Sequence, residues 1–131
     1  MDKKIAPHEG RELELVLTGK KHFAVVEQDK DPVQFGMIMT DKNLEVRAQK
    51  EGGSNVVRFW LKGSEDGGLA NFMYMQLTLN AARLIADNGL HWYQREMGRI
   101  FGYTEEEIEA FIKGDIECNC KNCKGISNNG F

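Results

Sequence analysis

Residues 69–112 read LANFMYMQLTLNAARLIADNGLHWYQREMGRIFGYTEEEIEAFI, and the reading of this stretch decides the fold. Apolar residues recur at helical spacing along the run, with stops at Asn88-Gly89 and Gly102, so it resolves into three consecutive helices packed closely together. The last of them is the most fully specified. Thr104 caps it, its hydroxyl accepting from the Glu107 N–H while the Glu107 carboxylate reaches back to the Thr104 N–H, a capping box. Tyr103 and Ile108 occupy the two positions of a hydrophobic staple. Glu105, Glu106 and Glu107 lie at the positive end of the helix dipole. Ile108, Phe111 and Ile112 carry the helix to a glycine cap at Gly114.

The helix before it covers 90–101, with Leu90, Tyr93, Met97, Ile100 and Phe101 at helical spacing and Gln94, Arg95 and Arg99 on the other side. Gly98 costs stability in a helix relative to Ala, and the usual offset is close approach by another backbone at a tight corner. Gly102 then closes the helix as a left-handed cap. The first helix, 69–87, is apolar over most of its surface, with Gln76, Asn80, Arg83 and Asp87 on one narrow stripe. So little polar face predicts burial on several sides, hence a central core helix. It is too polar and too interrupted to span a membrane.

Upstream the period changes to two. Residues 44–49 alternate cleanly, Gly52-Gly53-Ser54-Asn55 forms a hairpin loop, and 56–62 pairs back on it. In that strand Val57, Phe59 and Leu61 face the core, while Arg58 and Trp60 point the other way. Residues 23–27 predict another strand, and 33–40 a fourth with Gly36 at a bulge. Asp29-Lys30-Asp31-Pro32 and Asp41-Lys42-Asn43 supply turns. Pro7 opens a short helix to Leu17, and Lys20-Lys21-His22 reads as a solvated turn. The predicted architecture is α+β in one domain, 1–114. A short N-terminal helix and an antiparallel sheet of about four strands form one half (1–62), and three helices laid on one sheet face form the other (69–114). A Cys-containing tail, 115–131, follows.

The chain has 131 residues, enough for one real core. Lys and Arg number 17 against 20 Asp and Glu, a net charge of −3, which argues against a general polyanion binder. No apolar run follows the first four residues, so no secretory signal is expected. Three clustered cysteines suit a reducing cytoplasm better than a disulfide framework.

Chemistry has three candidate seats. Cys120-Lys121-Asn122-Cys123-Lys124-Gly125 has the shape of a metal knuckle, two thiolates three residues apart with a glycine relieving the turn, and Cys118 offers a third sulfur. A closed zinc site needs a fourth ligand from elsewhere, such as His91; exposed thiols on a polar tail are the plainer alternative. On the second helix, His91 and Arg95 are one turn apart and share a face with Arg99 beside Trp92, a cationic stripe able to grip phosphate or carboxylate. Its plainer alternative is a surface on which Arg95 and Arg99 pair with acids of the next helix. Arg58 and Trp60 could stack a base or a partner's side chain, unless a helix covers that sheet face. No Walker A loop, Rossmann glycine pattern, nucleophile elbow or H-E-x-x-H helix occurs.

Two stretches, GRELELVLTGKK at 10–21 and REMGRIFGYTEEEIEAFI at 95–112, resemble small uncharacterised proteins encoded by bacteriophages and prophages. The resemblance implies a phage accessory protein that binds a host protein in host takeover or counter-defence, by analogy and without catalysis. The expected surface is His91, Trp92, Arg95 and Arg99, or Arg58 and Trp60, in a cytoplasmic homo-oligomer. Two alternatives stand beside it: a zinc-stabilised nucleic-acid or nucleotide binder, and a small metal-dependent enzyme using Cys118, Cys120, Cys123 and His91.

Overall fold

The computed structural model describes residues 8–114 and two short strands at 4–5 and 116–117. In chain order the elements are β1 (Lys4–Ile5), α1 (Glu12–Leu17), β2 (Ala24–Glu27), α2 (Pro32–Thr40), β3 (Leu44–Glu51), β4 (Ser54–Leu61), α3 (Glu65–Leu79), α4 (Ala81–Asn88), α5 (Leu90–Ile100), α6 (Glu105–Lys113) and β5 (Ile116–Glu117). The hairpin of β3 and β4 turns on Gly52 and Gly53, both at positive φ (54° and 85°), the backbone that a tight two-residue turn demands. Its register runs from Leu44 opposite Leu61 to Glu51 opposite Ser54. β2 pairs antiparallel with the other edge of β4, giving the order β2-β4-β3. β1 and β5 form a separate parallel pair, Lys4 opposite Ile116 and Ile5 opposite Glu117.

The class is α+β, but the main sheet has three strands. The predicted fourth, 33–40, is helix α2. Its start is chemically explicit: the Asp31 carboxylate accepts from the Gln34 N–H at 3.0 Å, and Pro32, with φ preset for a helix, fills the first turn. The cap and the preset φ of Pro32 outweigh the strand reading of 33–40.

Alternation along β4 divides the interior in two. Val57 and Phe59, with Ala24, Val26 and Leu44 of the neighbouring strands, pack against Leu13 and Val16 of α1 and Phe35 and Ile38 of α2. On the other face Trp60 and Phe23 meet Ala70, Tyr74 and Leu77 of α3 and Tyr93, Met97 and Ile100 of α5. Helices therefore cover both faces: α3 and α5 of the helical half lie on the face of Trp60, and α1 and α2 cover the face of Val57 and Phe59. An antiparallel sheet often leaves one face to water; here the apolar outward residues Phe23, Val25 and Trp60 need a second helical layer.

The run 69–112 holds four helices where three were expected. α3 starts earlier, with Ser64 as its cap accepting from the Gly67 N–H at 2.9 Å, and the chain breaks at Asn80 (φ −113°, ψ 17°) before α4. Gly67 lets α3 sit directly on the sheet. A Cβ there would lie 2.6 Å from the Trp60 Cβ and 2.7 Å from the His22 carbonyl oxygen. Gly98 has the same role one layer out, but the neighbour is a side chain, not backbone: a Cβ would come within 2.7 Å of Ile108 Cγ1. The capping box of α6 forms as read, with Glu107 N to Thr104 Oγ1 at 3.1 Å and Thr104 N to Glu107 Oε1 at 2.8 Å. Gly114 closes it in the left-handed conformation.

Candidate functional site

Gly89, at φ +96°, turns the chain from α4 into α5. The corner it makes encloses an open groove of about 310 Å³ lined by Asn88, Gly89, Leu90, His91, Trp92 and Arg95. Three of the residues expected to act together are thus brought to one wall. Arg99 is not among the lining residues, and the cationic stripe is not free. Arg95 Nε donates to Glu109 Oε1 at 2.7 Å, and its Nη2 reaches Oε2 at 3.4 Å. Arg99 Nε donates to Glu105 Oε1 at 2.9 Å, and its Nη1 to Glu96 Oε1 at 2.9 Å. These hydrogen bonds raise both guanidinium pKa values and hold Glu105 and Glu109 below the usual carboxylate range. The pairs are solvent-exposed, so they add little stability. They do set a condition: an anionic ligand at this corner competes with carboxylates already seated.

Arg58 and Trp60 are not a free platform, because α3 lies over them. Trp60 is 7 % exposed, packed near Phe23 and carrying the Arg47 guanidinium 5.4 Å above its ring. Arg58 is 9 % exposed at the middle of the central strand. Its Nη1 donates to Asn71 Oδ1 at 2.6 Å and its Nη2 to Gln49 Oε1 at 3.4 Å. Both acceptors are neutral amides, and Nε has no partner. Burial lowers its pKa; Tyr74 and Glu51 act in the opposite sense, and the cross-strand neighbour Arg47 lowers it further. A buried cation held only by neutral acceptors is costly unless something else compensates it.

A third cluster escaped the sequence reading. Lys21, read as part of a solvated turn, is 4 % exposed. Its Nζ lies 2.9 Å from His8 Nδ1 and about 5 Å from the ring centres of Phe101 (5.2 Å) and Tyr103 (5.1 Å). His8 stacks on Tyr103 at 4.0 Å. Burial, and then the Lys21 charge, depress the His8 pKa from 6.5 to about 4, so the imidazole is neutral at pH 7 and accepts from the ammonium. The signal was the alternation Lys21, Phe23, Val25, which puts Lys21 on the helix-covered face while Lys20 stays in water.

Cys118, Cys120 and Cys123 lie outside the described residues. Among the described residues no group of three or more His, Cys, Asp or Glu is arranged to hold a metal ion. No helix among them is long and apolar enough to cross a membrane.

No family model and no curated protein matches the chain. A solved structure does: the crystal structure of the bacterial cysteine methyltransferase effector NleE superposes with a TM-score of 0.63 over 88 % of this chain and 67 % of that one, at 17 % identity. At that identity the likeness is one of fold. It nevertheless corrects the expectation of a protein that works by binding alone, since an architecture of this kind is one that an enzyme uses.

Proposed function

We propose that this chain is a methyl-transferring enzyme that acts on a nucleophilic side chain of a partner protein. The observation that carries the reading is the backbone likeness to a bacterial cysteine methyltransferase effector across 88 % of the chain. The residues present fit a sulfonium donor such as S-adenosylmethionine, which carries a carboxylate, a positive sulfur and an aromatic base. Arg58, buried with an unpartnered Nε, suits a carboxylate. Phe23, Trp60, Tyr74 and Phe101, with ring centres 5.4–6.3 Å apart in neighbouring pairs, form an aromatic cluster on the sheet face that also carries Arg58. When bound, such a donor supplies a methyl group to the lone pair of a thiolate, leaving as a neutral thioether.

The chain's own part is to hold and exclude. The groove at the α4–α5 corner offers the acceptor protein an aromatic side, Trp92, and a cation, Arg95, that an acidic segment can take over from Glu109. The test is incubation of the full chain with methyl-labelled S-adenosylmethionine and a host-cell lysate, followed by mass spectrometry of cysteine-containing peptides. Label on a cysteine of a lysate protein, lost when Arg95 is replaced by Glu and kept when Lys113 is, supports the reading. Transfer to no protein, with the donor intact, overturns it.

A further inference from the structure

We infer that Arg58, on the helix-covered face of the sheet, is the anchor of an anion site, taking the carboxylate or phosphate group of a small-molecule ligand between β4, β3 and α3. Four observations converge. The Arg58 residue is nine-tenths buried, yet makes no ion pair among the described residues, and its two hydrogen bonds run to the side-chain amides of Asn71 and Gln49. Its Nε, the donor that completes the flat edge used in two-point recognition of carboxylate and phosphate, is buried with nothing to donate to. Ser54 Oγ, two residues along the same strand face beyond Val56, is a second buried polar atom with no partner. Finally, the nearest cation is not a competitor: Arg47, directly across the ladder, is turned to Glu45 at 3.3 Å and to the Trp60 ring.

Glu51 is the acid within electrical reach, and it enters the cluster through Gln49, whose Nε2 donates to Glu51 Oε1 at 3.0 Å. That bond turns the Gln49 carbonyl oxygen toward Arg58. The amides on either side therefore fix the orientation of the guanidinium and do not neutralise it. A structural arginine is ordinarily placed the other way, against a carboxylate that compensates its burial. An uncompensated one is kept at the expense of stability, as binding groups are. That the anion is the carboxylate of a methyl donor rests on the reading above; the anion site itself does not.

The experiment compares the wild-type full chain with Arg58→Met and Arg58→Lys by thermal melting and calorimetric titration. The probes are S-adenosylhomocysteine, 5′-methylthioadenosine, which lacks the carboxylate arm, and inorganic phosphate. Without ligand, Arg58→Met should melt at or above wild type, because an apolar side chain of similar length replaces an unpaired charge; a lower melting temperature in both variants makes Arg58 structural and overturns the inference. Wild type should bind S-adenosylhomocysteine at least about tenfold more tightly than 5′-methylthioadenosine, a ratio that falls to about one in Arg58→Met and lies between in Arg58→Lys. An unchanged ratio in Arg58→Met removes the anchor from Arg58 and leaves the methyl-transfer reading standing. If neither adenosine compound binds but phosphate raises the melting temperature of wild type and not of Arg58→Met, the anion site stands and the methyl-transfer reading falls. If no anion shifts wild type, the site is refuted.

Discussion

A single buried lysine shows how local chemistry sets a pH response. Lys21 sits in the interior with its Nζ against the neutral His8 ring and with Tyr103 and Phe101 beneath. The His8 pKa falls from 6.5 to about 4 on folding, for reasons of burial first and the Lys21 charge second. Between those values the unfolded chain binds a proton that the folded chain refuses. The stability from this group is therefore fully present above pH 6.5 and is lost progressively as pH falls toward 4, by about 2 kcal/mol once partial solvent screening is allowed for. Chemical denaturation of wild type and His8→Ala at pH 4, 5.5 and 7.5 checks this: the difference between the two should be largest at pH 7.5 and shrink on acidification. The comparison matters because burial raises the Glu12 pKa, a contribution of opposite sign in the same range that the difference removes. A constant difference across pH would refute the coupling. None of this was legible as charge pattern, since Lys20 and Lys21 look alike until the alternation into Phe23 assigns them to opposite faces.

At the scale of the element, the sequence was most readable where a helix end is written in side chains. Thr104 with Glu107, Gly102 and Gly114 all act as their chemistry requires. The same grammar was present at Asp31-Pro32-Val33-Gln34, a cap followed three residues later by glutamine, but the apolar run after it looked like a strand. Its importance goes beyond α2. Gln34, 8 % exposed, accepts from the Leu13 N–H of α1 at 2.7 Å and donates to Glu12 Oε1 at 3.1 Å and Asp31 Oδ2 at 3.0 Å. One side chain thus ties the starts of two helices. Gln34→Leu should cost about 2 kcal/mol, because a buried backbone N–H loses its acceptor, and urea midpoints measure it; a change under about 0.5 kcal/mol would mean that water takes over the bond. The break at Asn80 was illegible for the opposite reason. Apolar periodicity continues across it, and only the φ of −113° ends α3.

For the whole molecule, the α+β class was readable from periodicity, whereas the sharing of helices between two sheet faces was not, because residues 33–40 read as a strand until the Asp31 cap makes them the helix α2. The sheet consequently separates two apolar clusters. Ile38→Val below it and Ile100→Val on the far side should each cost about 1 kcal/mol, and the double variant should equal their sum within about 0.5 kcal/mol. Guanidinium melts of the three variants decide it, and a coupling above about 1 kcal/mol would mean that the sheet transmits strain between the layers. The pairing of β1 with β5 bears on time as well as on shape. It joins opposite ends of the described chain through a ladder of two residues on each side. Closing so long a loop is entropically unfavourable, and so short a ladder returns only a few hydrogen bonds. The pair cannot nucleate folding; it clasps only after the two helical layers have carried the ends together, so it is the last contact to form, the first to open, and the natural place for a protease or a refolding chaperone to gain its hold.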